Sequence, residues 1–198
     1  MGSDESSQFT LAPLVIDRCF DGKPFAQRYE LSIARDLRSV AVVIDAPYFA
    51  DPPPEAAEGR LWKLWEHEVV ELFIAGADHE YIELEFGPHG HYLMLRLRGV
   101  RQIVDEHLRP QSLKVALGDD RWRCVAVFSR TLLPAEPHRI NAYAIHGQNP
   151  RTHCAWSTDD ARGALDFHRL ELFIEHRWCE VDDVRCCEQW FPGRRVKI

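Results

Sequence analysis

Residues Leu61 to Arg98 read LWKLWEHEVVELFIAGADHEYIELEFGPHGHYLMLRLR, and their phasing decides the fold. From Glu68 to Ile74 the chain alternates. Val70, Leu72 and Ile74 point one way, while Val69, Glu71 and Phe73 point the other. Tyr81 to Phe86 and His91 to Arg98 alternate again around Gly87-Pro88-His89-Gly90, the clearest hairpin signal in the chain. A two-residue loop at Pro88-His89 predicts Phe86 opposite His91, Leu84 opposite Leu93 and Ile82 opposite Leu95. The other face then sets Glu85 beside Tyr92, Glu83 beside Met94 and Tyr81 beside Arg96. One face is core; the other carries carboxylates, an arginine and tyrosines.

Short alternating segments continue on both sides. Phe9 to Cys19 contains a proline and reads as an edge strand. Arg28 to Ala34 is a half-buried strand, and Ser39 to Asp45 is a Val/Ala/Ile run buried on both faces. Ala46 to Arg60 holds Pro47, Pro52, Pro53 and Pro54, which remove amide donors and exclude a central strand, so 46–60 is a long loop. Ser112 to Leu117 and Arg121 to Phe128 form a second hairpin through Gly118-Asp119-Asp120. Ile140 to Ile145 is a further strand, a loop spans Gln148 to Ala164, and Leu170 to Ile174 is a last strand. About nine short strands, almost free of 3.6-residue periodicity, predict an all-β, antiparallel, jelly-roll-like β-sandwich. The expectation is a single domain over 1–198. Residues 1–8 are expected to be disordered, and 175–198 to be a C-terminal extension that packs loosely or adds a short edge element.

Of 198 residues, 24 are Lys or Arg and 31 Asp or Glu, a net charge of -7 that opposes nucleic-acid binding. The one basic run, Arg194 to Lys197, is too short to reverse this. The opening residues are acidic and polar and lack the charged and apolar regions of a signal peptide; no 18-residue apolar run suggests a membrane span. A cytoplasmic location is therefore expected. The six cysteines form no C-x-x-C pair, so reduced thiols are expected, with no zinc site and no cofactor.

Three constellations carry chemistry. Trp62, Trp65, Trp156 and Phe167 stand near loop–strand junctions, where flat rings either fill the sandwich ends or offer a platform to a sugar ring. Glu66, Glu68, Glu71, Glu83 and Glu85 form an acidic set, with Glu83 and Glu85 on one strand face roughly 7 Å apart by strand rise. Arg96 and Arg98 opposite them are expected to keep both ionised, which favours hydrogen bonding or ion pairing over general-acid catalysis. Ten histidines include His89 and His91 at the turn and His146, His153 and His168 later, with no third metal ligand at a recognisable spacing. No nucleophile-elbow or phosphate-loop motif is present.

Leu64-Trp65-Glu66-His67-Glu68-Val69-Val70-Glu71-Leu72-Phe73-Ile74 resembles the Trp-acid-x-x-Val-Glu-x-Phe strand of carbohydrate-binding module family nine. Tyr81 to Gly90 resembles that family's next strand and turn. Ala155-Trp156-Ser157 and Asp166-Phe167-His168-Arg169-Leu170-Glu171-Leu172-Phe173 are similar to its closing region. Over almost the whole chain, Asp45 to Pro53, Pro88-His89-Gly90, Ala144 to Gly147 and Asp166-Phe167-His168 resemble an uncharacterised animal family. Its human member is designated by a chromosome-four open reading frame, and it brings no function with it. The sugar-binding resemblance implies Trp65 as one aromatic clamp, Phe167 at the second and Glu71 as an acidic contact. Glu83 replaces an expected basic contact, and Tyr143 and His146 replace an amide and an acid.

The expectation is a non-catalytic module binding a carbohydrate or other small polar ligand. Its site would draw on Trp65, Glu71, Glu83, Glu85, Arg96, Tyr143, His146, Trp156, Phe167 and His168. The alternatives are a protein-interaction domain using exposed Tyr48 and Phe49 of loop 46–60, and an enzyme using the acidic and histidine face.

Overall fold

The structure, a computed structural model, describes residues 13–159, 165–185 and 187. The expected disorder of 1–8, Cys186 and the basic run 194–197 lie outside the described residues.

The chain begins with β1 (Leu14–Arg18), β2 (Pro24–Arg35) and β3 (Ser39–Pro47), and a two-residue β4 (Gly59–Arg60) closes the proline-rich loop. A meander follows, of β5 (Val69–Ala75), β6 (Glu80–Phe86) and β7 (His91–Arg98), and then β8 (Ile103–Asp105). The second half holds β9 (Ser112–Leu117), β10 (Arg121–Ser129), β11 (Arg139–His146), β12 (Thr152–Ala155), β13 (Ile174–Glu175) and β14 (Cys179–Glu180). One sheet runs β1-β2-β3-β10-β9, with β14 beside β2; the other runs β12-β11-β5-β6-β7-β4, with β13 beside β11 and β8 beside β7. Most pairings are antiparallel; β4 with β7 and β14 with β2 are parallel.

Alternation explains the sandwich. Leu31, Val42, Ile44, Trp122 and Phe128 of the first sheet meet Val70, Leu72, Ile74, Leu84 and Phe86 of the second in one buried cluster. Each such side chain contributes roughly 1.5–3 kcal/mol on leaving water. The second sheet is unusual in burying its outer face too. Val69, Phe73, Tyr81, Leu93, Leu95, Leu97, Tyr143 and Ile145 form a second cluster, joined by Leu64, Leu170 and Phe173 from outside the strands. The functional question concerns this outer face.

Several expectations are corrected by the structure. The β6–β7 hairpin closes through three residues, not two. The Gly87 amide donates to the His91 carbonyl at 3.0 Å, and Gly90 takes φ 80°, the left-handed conformation that suits glycine. The extra residue shifts the register by one, so Phe86 pairs with Tyr92, Glu85 with Leu93 and Glu83 with Leu95. A one-residue slip moves every β7 side chain to the other face. Arg96 therefore pairs with Ile82 and donates to the Leu132 carbonyl instead of facing Glu83 and Glu85.

The loop Gln148 to Ala164 contains β12, paired to β11, and the expected strand at Leu170 is a 3-10 turn (Leu170–Leu172) followed by two-residue β13. Tyr48 and Phe49 are half-buried against the core, not exposed; Phe49 stacks on His146 with ring centroids 3.6 Å apart. The Glu68 carboxylate accepts the amides of Phe49 and Asp51, which pins the proline-rich loop. The extension adds β14 against β2, with Trp178 on the core and Val184 buried, so its described part is packed.

Candidate ligand-binding site

The floor of the site is built by register. On the outer face of the second sheet, Tyr143 of β11 lies opposite Glu71 of β5, Glu71 opposite Glu85 of β6, and Glu85 opposite Leu93 of β7. In the next row Asn141 neighbours Phe73, Phe73 neighbours Glu83 and Glu83 neighbours Leu95. Directly opposed residues have Cβ atoms roughly 4.5–5.5 Å apart, so Glu71 and Glu85 are packed side by side, with Glu83 two residues along β6 on the same face. All three are buried: Glu71 is 2% exposed, Glu83 5% and Glu85 0%. Glu71 Oε1 has no hydrogen-bond partner, and the Glu85 oxygens have none in good geometry, although the Glu83 carboxyl and the Trp65 amide lie close to them.

Burial decides their ionisation. It pushes the Glu83 carboxyl up to about 7, opposed by a hydrogen bond with the Glu85 carboxyl and then by Arg101. Glu71 and Glu85 are raised well above the usual carboxylate range, by burial first and then by neighbouring glutamates. The expectation that arginines opposite would hold these groups ionised fails with the register.

A cavity of about 630 Å³ opens above this floor. Glu71 and Glu83 line it below; Trp62, Trp65, Phe167, Ile145, Leu95 and Leu97 form its apolar walls, and Glu66, Arg101, Arg151, His153 and His168 its polar edge. Trp62, Ile103 and Leu165 are large apolar side chains left exposed, and all three line this cavity. Glu85 lies below, fully enclosed.

Two supports hold the walls. The Leu64–Glu66 3-10 turn presents Trp65, which meets Trp62 edge-on with centroids 5.3 Å apart. Arg151 fastens this turn by donating to the carbonyls of Trp65 (2.8 Å), Glu66 and His67 (3.1 Å). On the other side Phe167 stacks on Tyr143, with centroids 4.0 Å apart and planes 4° from parallel. Its segment is tied down by Asp166, which accepts from the Arg101 guanidinium (2.9 Å) and the His168 amide (2.8 Å).

Hydrogen bonds order the groups behind the walls. The Tyr81 hydroxyl accepts the Arg101 amide and shares a 2.8 Å hydrogen bond with Nδ1 of His168. Burial holds the His168 pKa down at about 4, and the ring is neutral at pH 7. Asn141 Oδ1 accepts the amides of Ala142 and Ser157, so its Nδ2 donates to the Tyr143 hydroxyl at 2.8 Å. The Tyr143 proton is left free to donate, beside Glu71.

Of the residues expected at the site, Trp65, Glu71, Glu83, Phe167 and His168 line one cavity; Tyr143 backs Phe167 and Glu85 backs the floor. Three lie elsewhere. Arg96 is on the inner face. His146 points to the inner side, where its Nδ1 bonds the Tyr29 hydroxyl at 2.8 Å. Trp156 packs against the sandwich core. For the enzyme alternative, His146 is thus separated from Glu71 and His168 by the sheet. Arg101 and Arg151 escaped the sequence reading, and His153 was noted only among the histidines, because nothing local marks a lone arginine or histidine that converges only through folding. Among the described residues no group of three His, Cys, Asp or Glu side chains is placed to hold a metal ion. No helix among them is long and apolar enough to cross a membrane.

Two packed sheets form a β-sandwich whose fold resembles that of carbohydrate-binding modules. A structure described as a candidate carbohydrate-binding protein from Bacteroides uniformis aligns with TM-score 0.63 at 16% identity, covering 83% of this chain and 84% of its own. A family 9 carbohydrate-binding module from Caldicellulosiruptor kristjanssonii, in complex with cellotriose, aligns with TM-score 0.49 at 12% identity, over 95% and 89%. No family model matches the chain. UPF0462 protein C4orf33 of Homo sapiens is 35% identical over 145 residues, covering 69% of this chain and 72% of that protein; the Rattus norvegicus homologue is 34% identical over the same shares. The chain belongs to the UPF0462 family.

Proposed function

We propose that this protein is a non-catalytic binding module for a small polyhydroxylated ligand of the carbohydrate class, held in the cavity between Trp65 and Phe167. The observation that carries the reading is one cavity joining two aromatic walls to a carboxyl floor. A pyranose has apolar C–H faces and a polar rim, so it matches flat rings on the walls and hydrogen-bonding groups beneath them. The carboxyls both donate and accept when protonated, and the His168 ring at the cavity edge adds a further polar group. The fold neighbour's description as a candidate carbohydrate-binding protein supports the same reading.

Glucose and cello-oligosaccharides titrated against the protein, read by tryptophan fluorescence and calorimetry, should give saturable binding. Trp65→Ala should weaken that binding at least tenfold. A flat titration, or binding indifferent to Trp65→Ala, would sink the proposal.

A further inference from the structure

We infer that the ligand presents a protonated amine to the glutamate floor, which makes an amino sugar the preferred class over a neutral sugar. The inference rests on the binding reading above and names the ligand chemistry more narrowly.

Three adjacent buried carboxyls without a cation are costly, because burial and mutual repulsion both oppose ionisation. Among the described residues, no salt bridge involves Glu71, Glu83 or Glu85. By contrast, Asp45 holds Arg121 and Arg123, and Glu80 holds Arg98. Buried polar atoms almost always have partners, so the unpartnered Glu71 Oε1 beside the cavity marks a place where a partner from outside fits.

The protein's own cations at the cavity edge are committed elsewhere. Arg101 is engaged by Asp166, and Arg151 by three backbone carbonyls. Arg101 opposes the rise at Glu83 and Arg151 that at Glu71, but neither forms a salt bridge with the floor, and both carboxyls stay raised. His153 and His168 have lowered pKa values and are neutral at pH 7, while Glu66 pairs with Lys63. The Tyr81 and Tyr143 hydroxyls facing the floor keep their protons, since burial raises both. The groups around Glu71 and Glu83 therefore supply hydrogen bonds and distant positive charge, but no cation in direct contact with the carboxyls.

An ammonium group carries three donors and a full charge, and it gains further from aromatic faces such as Trp62, Trp65 and Phe167. A metal ion is the other cationic candidate, and the described side chains offer it no three-ligand set. Raised carboxyl pKa values add a signature: an entering ammonium favours the ionised form, so its binding expels protons. A neutral sugar does not drive that expulsion.

The test compares glucosamine, N-acetylglucosamine and glucose at pH 7 by calorimetry in two buffers of different ionisation enthalpy. Glucosamine should bind at least tenfold tighter than glucose, with net proton release seen for glucosamine alone. N-acetylglucosamine, lacking the charge, should bind no tighter than glucose. Glu83→Gln should bring the glucosamine-to-glucose affinity ratio close to one, and the proton-release measurement needs no variant. Equal or tighter binding of glucose, without proton release by glucosamine, overturns the inference but leaves the sugar-binding reading standing if Trp65→Ala abolishes it. Binding of none of the three overturns both.

Discussion

Glu85 shows how one residue reports on a site without touching its ligand. It is fully enclosed, opposite Glu71, and both its oxygens lack a partner in good geometry, with only the Glu83 carboxyl and the Trp65 amide near them. A buried unsatisfied carboxyl is a standing cost of about 1–3 kcal/mol. Glu85→Leu, which removes the polar group, should raise the melting temperature by several degrees; a lower one would show that Glu85 holds a partner in solution. Trp65 is the contrasting case: half-buried at the cavity wall, it matters more for binding than for stability.

At the scale of elements, two devices place the site. One is the Arg151 clamp, which reaches from just before β12 across to the Leu64–Glu66 turn. Arg151→Ala should weaken ligand binding by about five- to tenfold and speed hydrogen exchange at Glu66 and His67, through loss of charge-assisted bonds worth about 1.5–3 kcal/mol. Arg151→Lys should not restore it, because a single ammonium lacks the planar fork that spans three carbonyls. Unchanged exchange in Arg151→Ala would remove the clamp's role. The other device is Gly90. Its φ of 80° disfavours any side chain, and an added Cβ would lie 3.2 Å from the Glu58 carboxyl. Gly90→Ala should cost about 1–2 kcal/mol in denaturant unfolding.

These elements also show what was legible. The phase of β5 followed from Val70, Leu72 and Ile74 alone, and so did the β9–β10 hairpin. The register of β7 did not. Pro88-His89 and Pro88-His89-Gly90 are both acceptable loops by composition, and only the left-handed Gly90 selects the longer one. That single residue moved Leu93, Leu95 and Leu97 onto the glutamate face and took Arg96 away from it.

For the whole molecule, the buried acids make stability depend on pH. A carboxyl whose folded pKa is raised binds more protons in the folded state, so its stabilising effect is lost as pH climbs from about 4.5 through the folded value. For Glu83 that window runs from about 4.5 to about 7, and Glu71 and Glu85 act in the same direction. The neutral His146, His168 and His176, each held down at about 4, act oppositely between that pH and about 6.5. Above pH 6.5 the histidines no longer contribute, so the melting temperature should fall as pH rises from 6.5. Glu85→Gln should flatten that slope. A slope unchanged in Glu85→Gln would show that Glu85 ionises freely in the folded protein.

Local alternation by itself determined the all-β sandwich and the buried faces of strands such as β5, because a period of two is written residue by residue; Trp65, Glu71, Glu83, Phe167 and His168 became candidates through residue type and the resemblance to carbohydrate-binding module family nine. Only the tertiary structure decided that a three-residue turn sets Leu93 and Leu95 beside the glutamates, that His146 and Trp156 face the core, and that Arg101, Arg151 and His153 converge on the site's edge. Register depends on one backbone conformation, and convergence depends on which strands become neighbours. Neither quantity is carried by any single stretch of chain.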